Sequence, residues 1–208
     1  MTHALNLIDG LNGLAGGIAL TMAGGLGLIA YLTGDDALVW VAAAMLTAIT
    51  GFLLVNYPLG KVFLGDGGAY TVGHILAWIA ILLLARNPEI SAWSLILCAF
   101  WPLMDTVATI ARRLIVRKAV GAPDKLHFHH IVMRLVRAMV GPRRSRLISN
   151  SIASALIAPL YTLPVALGVL TVRSPALGLL SIAFCALIYV GLRFYMVRRF
   201  LKLSRKLV

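Results

Sequence analysis

The chain of 208 residues is 61% hydrophobic and 12% charged, with a mean hydropathy of +0.93, against about 45–50% apolar and about 25% charged residues in a soluble domain. That composition excludes both a water-soluble globule and a disordered chain. The 19 basic residues outnumber the 7 acidic ones by 12, a surplus that in a membrane chain marks cytoplasmic loops and anionic headgroups rather than nucleic acid.

The apolar runs recur from end to end, so residues 1–208 read as a single integral membrane domain. The expected fold class is all-α: a polytopic membrane helix bundle of about six transmembrane helices, with the chemistry on cytoplasmic loops. A helix needs about 20 mostly apolar residues to cross a hydrocarbon core of about 30 Å. The stretches 14–33, 37–55, 69–86, 91–114, 151–172 and 176–196 meet that requirement. The segments before the first, after the second, after the fourth and after the sixth, taken with the adjoining ends of the fourth and sixth stretches (Arg112, Arg113 and Arg193), hold 17 of the 19 basic residues, and the opposite side holds only Arg86 and Arg173. The positive-inside rule then makes the first side and both termini cytoplasmic. Cys98 and Cys185 each lie in an apolar run without a CxxC neighbour, which argues against a disulfide framework or a zinc site. The first ten residues lack the basic start and short apolar run of a secretory signal, and no inverted repeat is visible.

In chain order, the first polar constellation is Asn6, Asp9 and Asn12. On a helix these residues would share one face at three-residue spacing, a stripe suited to a base edge, a ribose or a metal. Helix capping with close packing at Gly13 and Gly17 is an equal alternative. Asp35-Asp36 falls in a short outer loop and reads as a helix cap. Next comes the stretch from Asn56 to Ala69, in which the Gly-rich turn Gly65-Asp66-Gly67-Gly68 opens into the third span. Glycines let backbone approach a phosphate, and the first N–H groups of a helix favour anions. Asp66 can bring Mg²⁺ to such a phosphate, Lys61 adds a point charge and Phe63 a stacking face; a plain capped turn is the alternative.

Two carboxyl or imidazole groups lie within spans. Asp105 reads as an interhelical hydrogen-bonding residue with Arg112 or Arg113 as partner, and His74 is read in the same way. The third constellation is Pro123-Asp124-Lys125-Leu126-His127-Phe128-His129-His130. Its spacing is not that of a zincin helix. Phosphate or carbohydrate binding by imidazoles of adjustable charge is favoured over a transition-metal site or a solvated basic loop. From His127 to Met139, Ile131, Leu135 and Met139 recur at i, i+4, as in an in-plane interfacial helix that would lay the histidines at the headgroup boundary.

Taken in order, the motifs resemble those of the polyprenyl-phosphate N-acetylhexosamine-1-phosphate transferases, of the undecaprenyl-phosphate N-acetylglucosamine 1-phosphate transferase type. Asn6-Leu7-Ile8-Asp9-Gly10 resembles the family's NxxDG stretch, Phe63 to Gly68 its FxGDxGS stretch, and His127-Phe128-His129-His130 its HxHH loop. The resemblance implies transfer of N-acetylhexosamine 1-phosphate from a UDP-N-acetylhexosamine to a polyprenyl phosphate, with release of UMP, in cell-envelope polysaccharide synthesis. It implies Mg²⁺ on Asp66, nucleotide-sugar contacts from Asn6, Asp9 and Asn56, a uracil contact from Phe63, and diphosphate binding by His127, His129 and His130. Asn12 and Lys61 complete the expected substrate-binding set, and membrane lipids and a second copy of the chain are the other expected partners.

The chain departs from the family in carrying Asn12 where many members have a second Asp, and Gly68-Ala69 in place of Gly-Ser. It also lacks the DDxxD motif that the family carries upstream of NxxDG, so the resemblance is to the C-terminal portion only, and this chain alone is expected to be weakly active or inactive. The alternative is a truncated, non-catalytic membrane remnant or partner subunit that binds lipid phosphate or nucleotide sugar. A metal transporter fits least, because Asp105 is the lone polar midplane group.

Overall fold

The structure, a computed structural model, describes residues 1–115, 127–140 and 146–204. All regular structure among them is helical, as the composition predicts: α1 (Thr2–Leu7), α2 (Leu14–Thr33), α3 (Asp36–Asn56), α4 (Gly65–Arg86), α5 (Ala92–Cys98), α6 (Phe100–Ile115), α7 (Phe128–Val140), α8 (Arg146–Leu170) and α9 (Pro175–Ser204). Helices α2, α3, α4, α8 and α9 are each long and apolar enough to cross a membrane.

The fourth expected span, 91–114, is not one straight helix. It divides into α5 and α6, which meet at 81°. Pro102 explains the division: it has no N–H for the carbonyl of Cys98, and its ring crowds that carbonyl. The first helix therefore ends at Cys98, with Ala99 as its cap. The fifth span accommodates Pro159 and Pro164 within α8.

Helix α2 is the most enclosed of the spans, packed by α3, α4 and α8. Its buried face, including Leu14, Ile18, Met22, Leu26 and Ile29, forms the middle of the core. Both glycines of the expected close-packing pair lie against tyrosines: a β-carbon on Gly13 would sit 2.5 Å from the Tyr57 ring, and one on Gly17 would sit 2.6 Å from the Tyr161 hydroxyl. Cys98 and Cys185 are buried free thiols.

The contacts sort the connections into two ends. At one end Asp35 caps α3 by accepting from the Leu38 N–H at 3.2 Å, as expected, and the same carboxylate meets Arg86 at 3.3 Å. The Ser91 N–H donates to the Val172 carbonyl (2.7 Å) and the Ser94 hydroxyl to that of Thr171 (2.9 Å). The N-terminal segment, the loop between α3 and α4, and the His127–His130 segment gather at the opposite end.

Candidate active site

The first motif departs from its expected helix. Helix α1 ends at Leu7, and the backbone passes through turns before restarting at Leu14. Asn6, Asp9 and Asn12 therefore do not form one stripe but point to three different partners. Asn6 Nδ2 lies 3.5 Å from the Tyr70 hydroxyl on α4. Asp9 Oδ2 accepts from the Gly65 N–H at 3.0 Å. Asn12 is buried and donates from Nδ2 to the Pro58 carbonyl at 3.0 Å.

The second motif is built around Gly65, which adopts φ +62°. That left-handed conformation suits a residue without a β-carbon, and it turns the Gly65 N–H onto Asp9. Asp66 follows in the first turn of α4, exposed, with no hydrogen bond to its carboxylate among the described residues. Lys61 and Phe63 are also exposed. Asn56 behaves differently: it is buried, its Oδ1 accepts from the Gly13 N–H at 2.5 Å, and its Nδ2 donates to the Val62 carbonyl at 2.6 Å. Both ends of that amide are thus committed to backbone, and Asn56 braces the loop that displays Lys61 and Phe63.

The third motif is no solvated loop, since His127 and His129 are buried and only His130 is partly open. Pro123, Asp124 and Lys125 lie outside the described residues. The His127 and His129 rings stack with centroids 5.6 Å apart, and those of His129 and His130 lie 4.2 Å apart. His129 Nε2 is buried without a hydrogen-bond partner among the described residues. It faces Gly10, where a β-carbon would come within 2.8 Å of it. Burial, reinforced by the neighbouring His130, holds His129 down to about 3, so its charge does not adjust near neutral pH as expected. Burial raises the Asp9 carboxyl above its ordinary value, and the Gly65 and Leu64 N–H groups partly offset that.

Consecutive residues thus connect the three motifs: Asp9 touches the glycine turn and Gly10 touches His129. Among the described residues no group of three or more His, Cys, Asp or Glu is disposed to hold a metal on its own. Asp66 nonetheless fits Mg²⁺, which takes one or two carboxylates and completes its shell with substrate phosphate and water.

Behind the histidines lies a set that sequence reasoning found only in part. Asp105 is buried, with its Oδ2 2.8 Å from His127 Nδ1, while its Oδ1 accepts from the Phe128 N–H (3.2 Å) and the Tyr189 hydroxyl (2.7 Å). Arg193 donates to the Tyr189 hydroxyl at 3.0 Å and approaches Asp105 Oδ1 at 3.6 Å. The interhelical role expected for Asp105 is what the structure shows, with partners on α7 and α9 rather than one turn or two along its own helix. The sequence signal for Tyr189 and Arg193 was their i, i+4 spacing on the last span. His74 differs from expectation, because it accepts from Trp78 Nε1 (2.9 Å) within its own helix.

Comparison with known proteins locates this arrangement. The sequence model of glycosyl transferase family 4 matches residues 1–84. The chain is 33% identical over 141 residues to the undecaprenyl-phosphate alpha-N-acetylglucosaminyl 1-phosphate transferase of Yersinia pestis, covering 64% of this chain and 38% of that protein. It is 34% identical over 137 residues to the protein of the same name from Escherichia coli K12 (64% and 37%). It is 31% identical over 134 residues to a probable undecaprenyl-phosphate N-acetylglucosaminyl 1-phosphate transferase of Bacillus subtilis (64% and 37%). The matched stretch therefore spans well under half the length of these relatives. No solved structure matches the chain. The stretch matched by the model of glycosyl transferase family 4 holds the NxxDG stretch and the glycine turn, which the Asp9–Gly65 hydrogen bond joins.

Proposed function

We propose that this chain acts in the transfer of N-acetylhexosamine 1-phosphate from a UDP-N-acetylhexosamine to a polyprenyl phosphate, at the inner leaflet of the plasma membrane, in cell-envelope polysaccharide synthesis. The observation that carries the proposal is the meeting of three motifs, distant in sequence, through Asp9–Gly65 and Gly10–His129. The names of the relatives support the reaction class.

The acceptor phosphate is largely ionised at pH 7, its second pKa being about 6, so no strong base is required. One of its oxygens forms the new bond to the sugar-bearing phosphorus. The bond from that phosphorus to the bridging oxygen breaks, and UMP leaves with the electron pair. What remains for the protein is alignment and charge neutralisation. Asp66 would hold Mg²⁺, which when bound neutralises charge on the diphosphate. His129, kept neutral, offers its unpartnered Nε2 as a hydrogen-bonding group rather than as a cation. His127 and His130 flank it, and Asp105 fixes the ring of His127 as an orienting carboxylate commonly does for a functional histidine. Lys61 and Phe63 project from the braced loop toward phosphate and uracil. Asn6 and Asp9 line the approach, while Asn12 and Asn56 set the loop's shape.

The test is Mg²⁺-dependent exchange of UMP with UDP-N-acetylglucosamine in membranes carrying the chain. Asp66→Asn is expected to lower the exchange rate by about 100-fold or more, an effect of the size that follows loss of one key electrostatic contact. Exchange unaffected by the substitution would refute the site. A second reading is favoured by one observation: the adjacent carboxylates Asp35 and Asp36 lie at the opposite end, where Asp35 is spent on capping and on Arg86. In that reading the chain binds lipid phosphate or nucleotide sugar without turning it over, as a remnant or partner subunit. Saturable UDP-sugar binding with no UMP exchange selects it.

A further inference from the structure

Helix α9 has 30 residues, which at 1.5 Å per residue is about 45 Å, well beyond a hydrocarbon core of about 30 Å. Its start is fixed at the end of the bundle remote from the site, where the Gly178 N–H donates to the Ser174 carbonyl and the turn before it meets α5. The last third of the helix therefore projects past the hydrocarbon at the site end. That third is built in a regular way. The Arg198 guanidinium lies 4.0 Å from the centre of the Phe194 ring, and that of Arg199 lies 5.5 Å from the Tyr195 ring, with its Nε donating to the Tyr195 hydroxyl at 3.0 Å. Both rings are more than half exposed. Arg134 of α7 reaches across to the Phe200 ring at 5.5 Å, and α7 packs directly on α9. Lys202 and Arg137 are exposed beside them.

Among the described residues no carboxylate is paired with Arg134, Arg198 or Arg199. Asp124 is the last acidic residue in the sequence, and the carboxylate that reaches α7 and α9, Asp105, is buried and engaged with His127, Tyr189 and Arg193. Rings at the edge of the hydrocarbon with guanidiniums stacked just beyond them match the layering of acyl chain and headgroup.

We propose that the α7–α9 surface carrying Arg134, Arg198 and Arg199 is a binding site for the headgroups of anionic phospholipids in the surrounding bilayer, separate from the diphosphate site. The exposed Phe194 and Tyr195 rings select a bilayer lipid over a soluble anion, because they offer the acyl region a surface that a free phosphate cannot use.

The full chain, reconstituted in phosphatidylcholine bilayers, is probed by electron spin resonance with spin-labelled phosphatidylglycerol or spin-labelled phosphatidylcholine. The fraction of each label immobilised at the protein boundary is the readout. Wild type is expected to favour phosphatidylglycerol several-fold, since each basic residue near a headgroup plane is worth about 1 kcal/mol, or about five-fold. High salt should abolish most of that preference. The triple variant Arg134→Gln, Arg198→Gln, Arg199→Gln should lose most of it, the corresponding triple Lys variant should keep it, and Arg86→Gln with Arg173→Gln at the opposite end should leave it unchanged. Equal immobilisation of the two labels by wild type overturns the proposal. So does a preference that survives high salt, or one undiminished in the Gln variant. Because the salt experiment uses the unaltered protein, the test stands even if the Gln variant does not fold.

Discussion

Asp105 joins three helices through one carboxylate, and its chemistry decides how His127 is presented. A carboxylate only accepts, so His127 Nδ1 carries the proton of their 2.8 Å contact, which fixes the orientation of the ring. Tyr189 supports this from α9. Replacing Tyr189 by Phe removes a hydrogen bond to a charged group and is expected to cost about 1.5–3 kcal/mol. Asp105→Ala should cost about 3–5 kcal/mol, because Arg193 and His127 lose a buried partner. Thermal unfolding in detergent followed by circular dichroism measures both, and equal, negligible losses would deny the set a structural role. A second residue-scale prediction concerns acid. His129 titrates at about 3 in the folded chain and near 6.5 when unfolded. Between those values the unfolded chain binds a proton that the folded one refuses, so stability is present above about pH 6.5 and falls as the pH drops toward 3. His129→Gln should flatten the melting temperature against pH across that window.

At the scale of elements, two of the glycines with left-handed backbone, Gly65 and Gly13, separate conformation from packing. Gly65 has φ +62° and open space around its missing β-carbon, whereas Gly13 has φ +78° and the Tyr57 ring 2.5 Å away. Gly65→Ala should therefore cost about 1–2 kcal/mol from backbone alone, and Gly13→Ala about 1–3 kcal/mol more from overpacking; chemical denaturation of the two variants checks the difference. The same scale shows what the amino-acid pattern made legible. Four apolar runs of about 20 residues became spans within about five residues of the expected limits, because hydropathy over that length leaves little choice, while the last ran on to Ser204, eight residues past its expected end. The fourth run misled because its composition is that of a span while Pro102 forbids continuity. Helix α7 was foreseen, but its buried stripe runs through Phe128, Ile131, Val132 and Val136 while Met139 stands exposed; spacing gives a period, and the neighbours α8 and α9 choose the phase. At the site, Asp9, Gly65 and His129 were legible as residue types. That Asn12 and Asn56 turn inward to backbone was not, since an amide serves a ligand and a carbonyl equally well.

For the whole molecule, the placement of basic residues and the contacts agree on which connections share an end, and labelling can assign the ends to membrane faces. Lys61 and Glu89 are exposed at opposite ends, and the native cysteines are buried. Lys61→Cys is expected to react with a membrane-impermeant maleimide only in inside-out vesicles, and Glu89→Cys only in right-side-out ones. Labelling of both from one side would break the two-ended arrangement. Asn56 gives this architecture one more property. Its amide ties the N–H that opens α2 to the carbonyl of Val62, and Asn12 and Ser151 both donate to Pro58 in the same loop. The segment that presents Lys61 and Phe63 has thus surrendered its freedom during folding, and an arriving ligand has little disorder left to remove. Severing that tie with Asn56→Ala should therefore appear as a larger entropic penalty in calorimetry, with the enthalpy of the ligand's own contacts largely retained.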